Sequence, residues 1–351
     1  MSINRIYNLQ KLMSQEQIDI LWTEDSTDIF YLLQFKASKG LLIVTLQNVY
    51  FFVDSRYLEK ASDIKNIIVL PYEKDIILST LGELKNLKIL AFSGQKLSYD
   101  RVNELFSIYL TDKKQNYKSI DLIEKLRMVK DENEILAIKH ACKITKNAFD
   151  QIDWLELEKT EWDLSQSYKK KILEFGADTF AFEPIVAFDN HAAIPHHSVS
   201  YTYKNPKQQI LVDVGAKADG YNGDMTKTIL LPSASGDLKK IYEIVKEGYY
   251  LIFDHLKIGI TFFELLEMIH THFKKYNVDE LFLHSLGHGI GLFVHEAPFY
   301  KNHASSNLAL QENMVFTVEP GLYNPKIGGV RLENTILITK NGPESLTNLN
   351  F

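Results

Sequence analysis

Cysteine is almost absent from this chain: Cys142 is the single thiol among 351 residues. That excludes an internal disulfide framework and a cysteine-cluster metal site. Basic charge is not in excess either. The net charge is −6 and the pI is about 6.0, which argues against non-specific nucleic-acid binding. Long apolar runs are missing. The most apolar early stretch, residues 41–53, is broken by Thr45, Gln47 and Asn48 and is too short and polar to span a membrane. Residues 1–11 show no apolar core followed by a small-residue cleavage site, so the expected compartment is the cytoplasm. Arginine is scarce: Arg5, Arg56, Arg101, Arg127 and Arg331 are five among 39 basic residues. In a chain rich in Asn, Ile, Tyr and Phe this reflects an A- and T-rich genome, and an arginine retained there marks a place for a planar five-donor fork.

What is present fits a soluble globular protein. Apolar residues make up 45% and charged ones 24%. The length suggests two domains or one large one, and such a chain can bury a sizeable core without staples. Residues 1–120 alternate between helix and strand patterns. Strands are expected at 20–23, 41–45, 49–53, 67–70 and 89–92, and helices at 6–18, 75–87 and 98–109. This reads as a small α/β domain. The polar stretch 111–118, TDKKQNYK, reads as a linker. Residues 121–351 open with a helix near 132–149, in which Ile135, Ile138, Cys142 and Phe149 share one face, so Cys142 reads as a small core residue. Further helices at 161–175, 238–256 and 262–275 lie among strands at 185–188, 209–214, 226–231, 315–319 and 330–339, which reads as α+β.

Two segments carry paired acids. In residues 210–231, ILVDVGAKADGYNGDMTKTILL, a hairpin centred on Ala218-Asp219 sets Asp213 opposite Asp224. Opposed residues have Cβ atoms ~4.5–5.5 Å apart, so two carboxylates there need a shared proton or a cation, unless one of them only caps a turn. In residues 314–339, MVFTVEPGLYNPKIGGVRLENTILIT, a hairpin centred on Lys326 sets Glu319 opposite Glu333. Between the hairpins, HSLGHGIGLFVHEAP frames His288 with Gly287 and Gly289, and glycine lets the backbone approach a ligand closely. Four carboxylates and one imidazole suit divalent Mn, Co or Zn, and bridging carboxylates suit a pair of ions.

These segments resemble the pita-bread metallopeptidases, in particular the proline-specific branch with aminopeptidase P and prolidase. IDILWTEDSTDIFYLLQF and FFVDSRYLEKA are similar to the creatinase-type N-terminal domain, FEPIVAFDNHAAIPHH to the family's substrate-histidine loop, and the glycine-framed histidine, VEPGLY and GGVRLENT to its metal-binding segments. The resemblance implies a creatinase-type domain at 1–120 and a pita-bread catalytic domain at 121–351. It implies that Asp213, Asp224, His288, Glu319 and Glu333 hold two divalent ions, most often Mn, with Co or Zn as alternatives, and that a metal-activated hydroxide is the nucleophile. Glu319 would also shuttle a proton. His196 and His295 would hold the substrate and stabilise the oxyanion, and Arg331 would orient an acid near the metals. His197 and His284 are weaker site candidates, while His191, His255, His270, His272 and His303 are expected to pack or face solvent. Peptides with proline at the second position are the implied substrates and a homodimer the implied assembly.

This chain departs from the family pattern at several positions. Phe188-Asp189 replaces a usual Ser-Gly and is expected to reshape the pocket wall. Asn334 replaces an aspartate, and Lys227 the central arginine of TRT. Phe299 stands where many prolidases place an arginine suited to a dipeptide's terminal carboxylate. The expectation is therefore an Xaa-Pro aminopeptidase acting on longer peptides. The alternatives are a prolidase, a non-catalytic peptide-binding relative, and a metal-free relative such as creatinase. The intact ligand set argues against the last two.

Overall fold

The computed structural model describes residues 2–84, 86–109, 116–299 and 307–351. The chain divides into two units, Met1–Leu126 and Arg127–Phe351. The first unit runs α1 (Ser2–Gln15), β1 (Ile20–Thr23), α2 (Ser26–Leu33), β2 (Gly40–Thr45), β3 (Val49–Val53), α3 (Leu58–Ala61), β4 (Ile68–Pro71), α4 (Lys74–Glu83), β5 (Ile89–Phe92), α5 (Tyr99–Tyr109), β6 (Asn116–Ser119) and α6 (Leu122–Arg127). Its strands form one mixed sheet in the order β4-β3-β2-β1-β5-β6. Ile20, Trp22, Leu41, Ile43, Phe52, Leu90 and Phe92 form its core. Residues 116–118, expected in a linker, instead belong to the edge strand β6, paired parallel to β5. Residues 111–115 of that linker, and His303, lie outside the described residues.

The second unit begins with α7 (Glu132–Asp150) and α8 (Glu161–Glu174). Both start at capping boxes, Asp131 with Glu134 and Thr160 with Asp163. Then come β7 (Thr179–Phe180), β8 (Ile185–Phe188), a 3₁₀ turn at Asp189–Ala193, β9 (Gln209–Val214), β10 (Ala216–Ala218), β11 (Tyr221–Asn222) and β12 (Met225–Leu230). Next are α9 (Gly236–His255), α10 (Phe262–Lys275), β13 (His288–Gly289), β14 (Glu296–Phe299), β15 (Val315–Val318), β16 (Gly321–Asn324), β17 (Gly328–Arg331), β18 (Glu333–Thr339) and β19 (Gly342–Ser345). One expected strand, 330–339, is split at Leu332 into β17 and β18.

An eight-stranded sheet runs β14-β13-β15-β18-β12-β9-β8, with β19 on β18. Its pairs are all antiparallel. Successive side chains alternate between its faces. Val214, Met225, Phe316, Val318 and Ile336 enter apolar cores with residues of the four long helices. Each fully buried side chain of this kind contributes ~1.5–3 kcal/mol relative to exposure. The other face carries Asp213, Thr226, Thr317, Glu333 and Thr335. The apolar face thus supplies the stability that lets acids be buried on its reverse. Among the described residues, no helix is long and apolar enough to cross a membrane.

Candidate metal centre and active-site cavity

The candidate site grows from one row across the sheet. Thr226 on β12 lies opposite Asp213 on β9 and opposite Glu333 on β18. The β15–β18 register pairs Val318 with Asn334, so the next step sets Glu319 against Glu333 as expected. β16 and β17 keep the same register around Lys326. The aspartate hairpin differs from expectation. Asp213 faces Thr226, and Asp224 stands diagonal to it rather than opposite. The turn sits at Asp219-Gly220, where φ is +54° and +83°. Two consecutive positive φ values define the type I′ turn that Asp-Gly favours. Because the slip preserves parity, both aspartates still face the same side.

His288 enters from β13, its N–H donating to Thr317 Oγ1 at 3.1 Å. His288 Nε2 lies 3.7 Å from Asp224 Oδ2 and 3.5 Å from Glu319 Oε1. The flanking glycines lie against neighbouring backbone. A Cβ on Gly287 would stand 2.0 Å from the Thr317 carbonyl oxygen, and one on Gly289 would stand 2.4 Å from that of Ala297. They allow neighbouring strands to close on β13, which aims His288 at the acids.

Arg331 organises the other side. It donates through Nη2 to Asp213 Oδ2 (2.5 Å), through Nη1 to Tyr323 Oη (2.7 Å) and through Nε to Thr226 Oγ1 (3.2 Å). Thr226 Oγ1 in turn donates to Glu333 Oε2 at 2.5 Å. The phenol of Tyr323 also meets His284 Nε2 at 2.7 Å. Three directions from one planar group are what a lysine cannot supply. Arg5 and Arg127 are likewise buried, whereas Arg56 is exposed and pairs only locally with Asp54.

Burial and crowding distort the acids. Burial, reinforced by the charges of Asp213 and Glu319, holds Asp224 well above the ordinary carboxylate range. Burial and the charge of Asp224 do the same to Glu333. Glu319 is pushed up to about 8 by burial, with Arg331 opposing and Asp213 assisting. Burial drives His288 down to about 3 and so keeps it neutral. Donor atoms of Asp224, His288 and Glu333 lie within 4.8 Å of one another. Among the described residues, Asp213 Oδ1 and Asp224 Oδ1 are buried with no hydrogen-bond partner. Orphaned acceptors in a like-charged, buried cluster fit divalent cations.

The cluster floors a cavity of about 560 Å³. His196, His197, His284, His295 and Phe299 line its walls. His196 and His295 are solvent-exposed there, and the His295 ring packs edge-on against His288 with centroids 4.2 Å apart. Glu296, next in sequence, is buried against Lys130 (2.9 Å) and Arg127. Phe188 and Asp189 do not line the cavity, contrary to expectation. Phe188 joins the core, and Asp189, at φ +50°, accepts from Lys207, Gln208 and Gln209 N–H groups. Asn334 donates to Tyr249 Oη and the Leu349 carbonyl and accepts from Thr347 and Leu349, using both halves of its amide. Lys227, opposite Val212, points to the face away from Thr226. Cys142 is fully buried, its thiol pushed up to about 12 by burial. His255 bonds the Leu251 carbonyl of its own helix, His270 packs on Phe282, and His272 bonds the Ile244 carbonyl of α9 at 2.8 Å. His191, expected to pack, bonds Glu161.

Sequence reasoning missed Thr226, Tyr323 and Glu161. Alternation in β12 could have flagged Thr226, whose parity matches Asp224. Tyr323 and Glu161 gave no signal, because a strand tyrosine and a first-turn helix acid are both ordinary. Glu161, His191 and His197 form a second cluster with donor atoms within 4.8 Å. There each imidazole already bonds a carboxylate oxygen, at 2.8 Å.

Residues 137–340 match the metallopeptidase family M24, and residues 5–129 match the creatinase/prolidase N-terminal domain. The Xaa-Pro dipeptidase of Pyrococcus horikoshii is 33% identical over 350 residues, 98% of this chain and 96% of that protein. The solved Xaa-Pro dipeptidase from Bacillus anthracis superposes with a TM-score of 0.92 at 30% identity, covering 100% of this chain and 98% of that one. An X-Pro aminopeptidase from Thermotoga maritima gives a TM-score of 0.84 at 28% identity, over 95% of this chain and 96% of the other. An α/β creatinase-type unit followed by a pita-bread unit, matched along nearly its whole length, places this chain in the metallopeptidase family M24.

Proposed function

We propose that this chain is a metal-dependent Xaa-Pro dipeptidase. Relatives of that name, matched over nearly the full length of both chains, support it. The aminopeptidase expectation rested on Phe299, and the relatives support its dipeptidase alternative better. The observation that carries the reading is the buried row of acids with orphaned oxygens beneath a cavity walled by histidines.

In this reading Asp213, Asp224, His288, Glu319 and Glu333 hold two divalent ions, with Mn the first candidate. Such ions activate water near neutral pH and polarise the scissile carbonyl. The chain's own groups do the rest. Arg331 fixes Asp213, and Thr226 fixes Glu333, so the donors are aimed before substrate arrives. Neutral His288 presents a lone pair. Glu319 carries a proton from the attacking water to the leaving proline nitrogen. His196 and His295 donate to the substrate carbonyl and its developing oxyanion.

A second reading, aminopeptidase on longer Xaa-Pro peptides, is favoured by Phe299, an apolar group on the cavity wall. Hydrolysis of an Xaa-Pro dipeptide and of the matching Xaa-Pro-Xaa tripeptide, with Mn, Co or Zn added, separates the two. Faster dipeptide cleavage is expected. Cleavage of the tripeptide alone would establish the second reading, and no cleavage of either would overturn both.

A further inference from the structure

Glu161 is the first residue of α8 and its side chain is fully buried. It does not line the cavity. Its carboxylate nevertheless holds the cavity wall. Oε1 accepts from Phe188 N–H at 2.7 Å and from His191 Nδ1 at 2.8 Å. Oε2 accepts from Ser200 N–H at 2.7 Å and from His197 Nε2 at 2.8 Å. All four donors belong to one segment, residues 188–200, which carries His196. That segment has little regular structure beyond its 3₁₀ turn. The Glu161 carboxylate therefore ties its first residue to its last and fixes two imidazoles between them. The stacking of His191 on His197, 4.5 Å between ring centres, completes the clamp. The adjoining backbone helps, since Trp162 N–H donates to the Ser200 carbonyl at 3.1 Å. Burial would favour the neutral acid, but hydrogen bonds from His197, Phe188, Ser200 and His191 outweigh it and hold Glu161 below the ordinary glutamate range. An ionised carboxylate is acceptor-only, which is what four converging donors require.

We propose that Glu161 is a positioning residue for His196. By pinning both ends of the 188–200 segment it sets where the His196 imidazole meets the substrate. This rests on the reading of His196 as a substrate-holding histidine. A ligand role for the Glu161 cluster fits less well, because a cation there would have to displace hydrogen bonds already made.

Glu161→Gln tests it. Whichever way the amide turns, its NH2 faces a backbone N–H, so that bond is lost, and the imidazole on the same side keeps its bond only by changing tautomer. A misplacement of ~1 Å at a reacting group can cost on the order of 100-fold. The expected loss in kcat on an Xaa-Pro substrate is about 10- to 100-fold, with bound metal per chain unchanged. Glu161→Asp, which keeps the charge and four acceptor sites, should recover part of it. It also serves as the test variant if the Gln protein does not fold. The deciding readout is a double-mutant cycle. In a His196→Ala background the Glu161 substitution should change kcat by less than about twofold. Wild-type kcat in the Glu161 variants, or the same loss in both backgrounds, would overturn the proposal. Wild-type activity in His196→Ala alone would instead show that the reading of His196 has failed, and this inference with it.

Discussion

Glu319 gives the metal-free protein a pH-dependent weakness whose sign and size follow from its surroundings. Its carboxyl sits at about 8 in the folded chain against an ordinary 4.5. A group raised in this way contributes its full stability below the unfolded value and loses it as pH rises through the folded one. The window is therefore pH 4.5 to 8. Its side chain is 15% exposed, so solvent screening removes little of the effect. At ~1.4 kcal/mol per pKa step, the loss is on the order of 5 kcal/mol above that window. For a unit of this size 1 kcal/mol moves Tm by ~2–4 °C, so the loss is worth roughly 10–20 °C. Asp224 and Glu333, raised by burial and by neighbouring carboxylates, act in the same direction. Glu319→Gln is neutral at every pH. The assay is calorimetry on chelator-treated wild type and Glu319→Gln from pH 5 to pH 9, following the transition of the 127–351 unit. The two should melt together near pH 5 and separate by roughly 10 °C or more at pH 9, with the variant the more stable. Parallel curves across that range would refute the reasoning.

Other substitutions test the supporting groups. Arg331→Lys loses the three-way fork to Asp213, Tyr323 and Thr226 and should lower metal affinity about 10- to 100-fold, measured by titration calorimetry. Thr226→Val removes the hydroxyl that Glu333 accepts from and Arg331 donates to, and should cost ~1–3 kcal/mol in denaturant unfolding of the metal-free protein. Asn334→Asp puts an acceptor against the Leu349 carbonyl, and should lower stability by ~1–3 kcal/mol in the same assay.

Particular residues show what the sequence could and could not disclose. The glutamate hairpin was legible because alternation and a turn at Lys326 fix its register, and Glu319 and Glu333 follow from it. The aspartate hairpin was misplaced by one position because the type I′ preference of Asp219-Gly220, not the midpoint of the polar stretch, sets the turn. The pairing of the acids survived because the slip preserved parity. The glycines around His288 were legible as a close approach, but what approaches is the backbone of Thr317 and Ala297. The Phe188-Asp189 departure looked like a change to the pocket. Asp189 in fact accepts the positive φ that a glycine would and spends its carboxylate on the backbone of 207–209. Glu161 was invisible because its partners are distant in sequence, and Tyr323, in the same hairpin as Arg331, because a strand tyrosine is ordinary. Arg331 was expected from the sequence to orient an acid and does bond Asp213, whereas its further partners Thr226 and Tyr323 required the fold.

The most direct test of the account is the rate of Xaa-Pro dipeptide hydrolysis followed through removal and return of metal. Cleavage that disappears on chelation and returns with added Mn, Co or Zn is the expected result. Cleavage that persists in the chelated protein, or none at all when two ions per chain are bound, would contradict it.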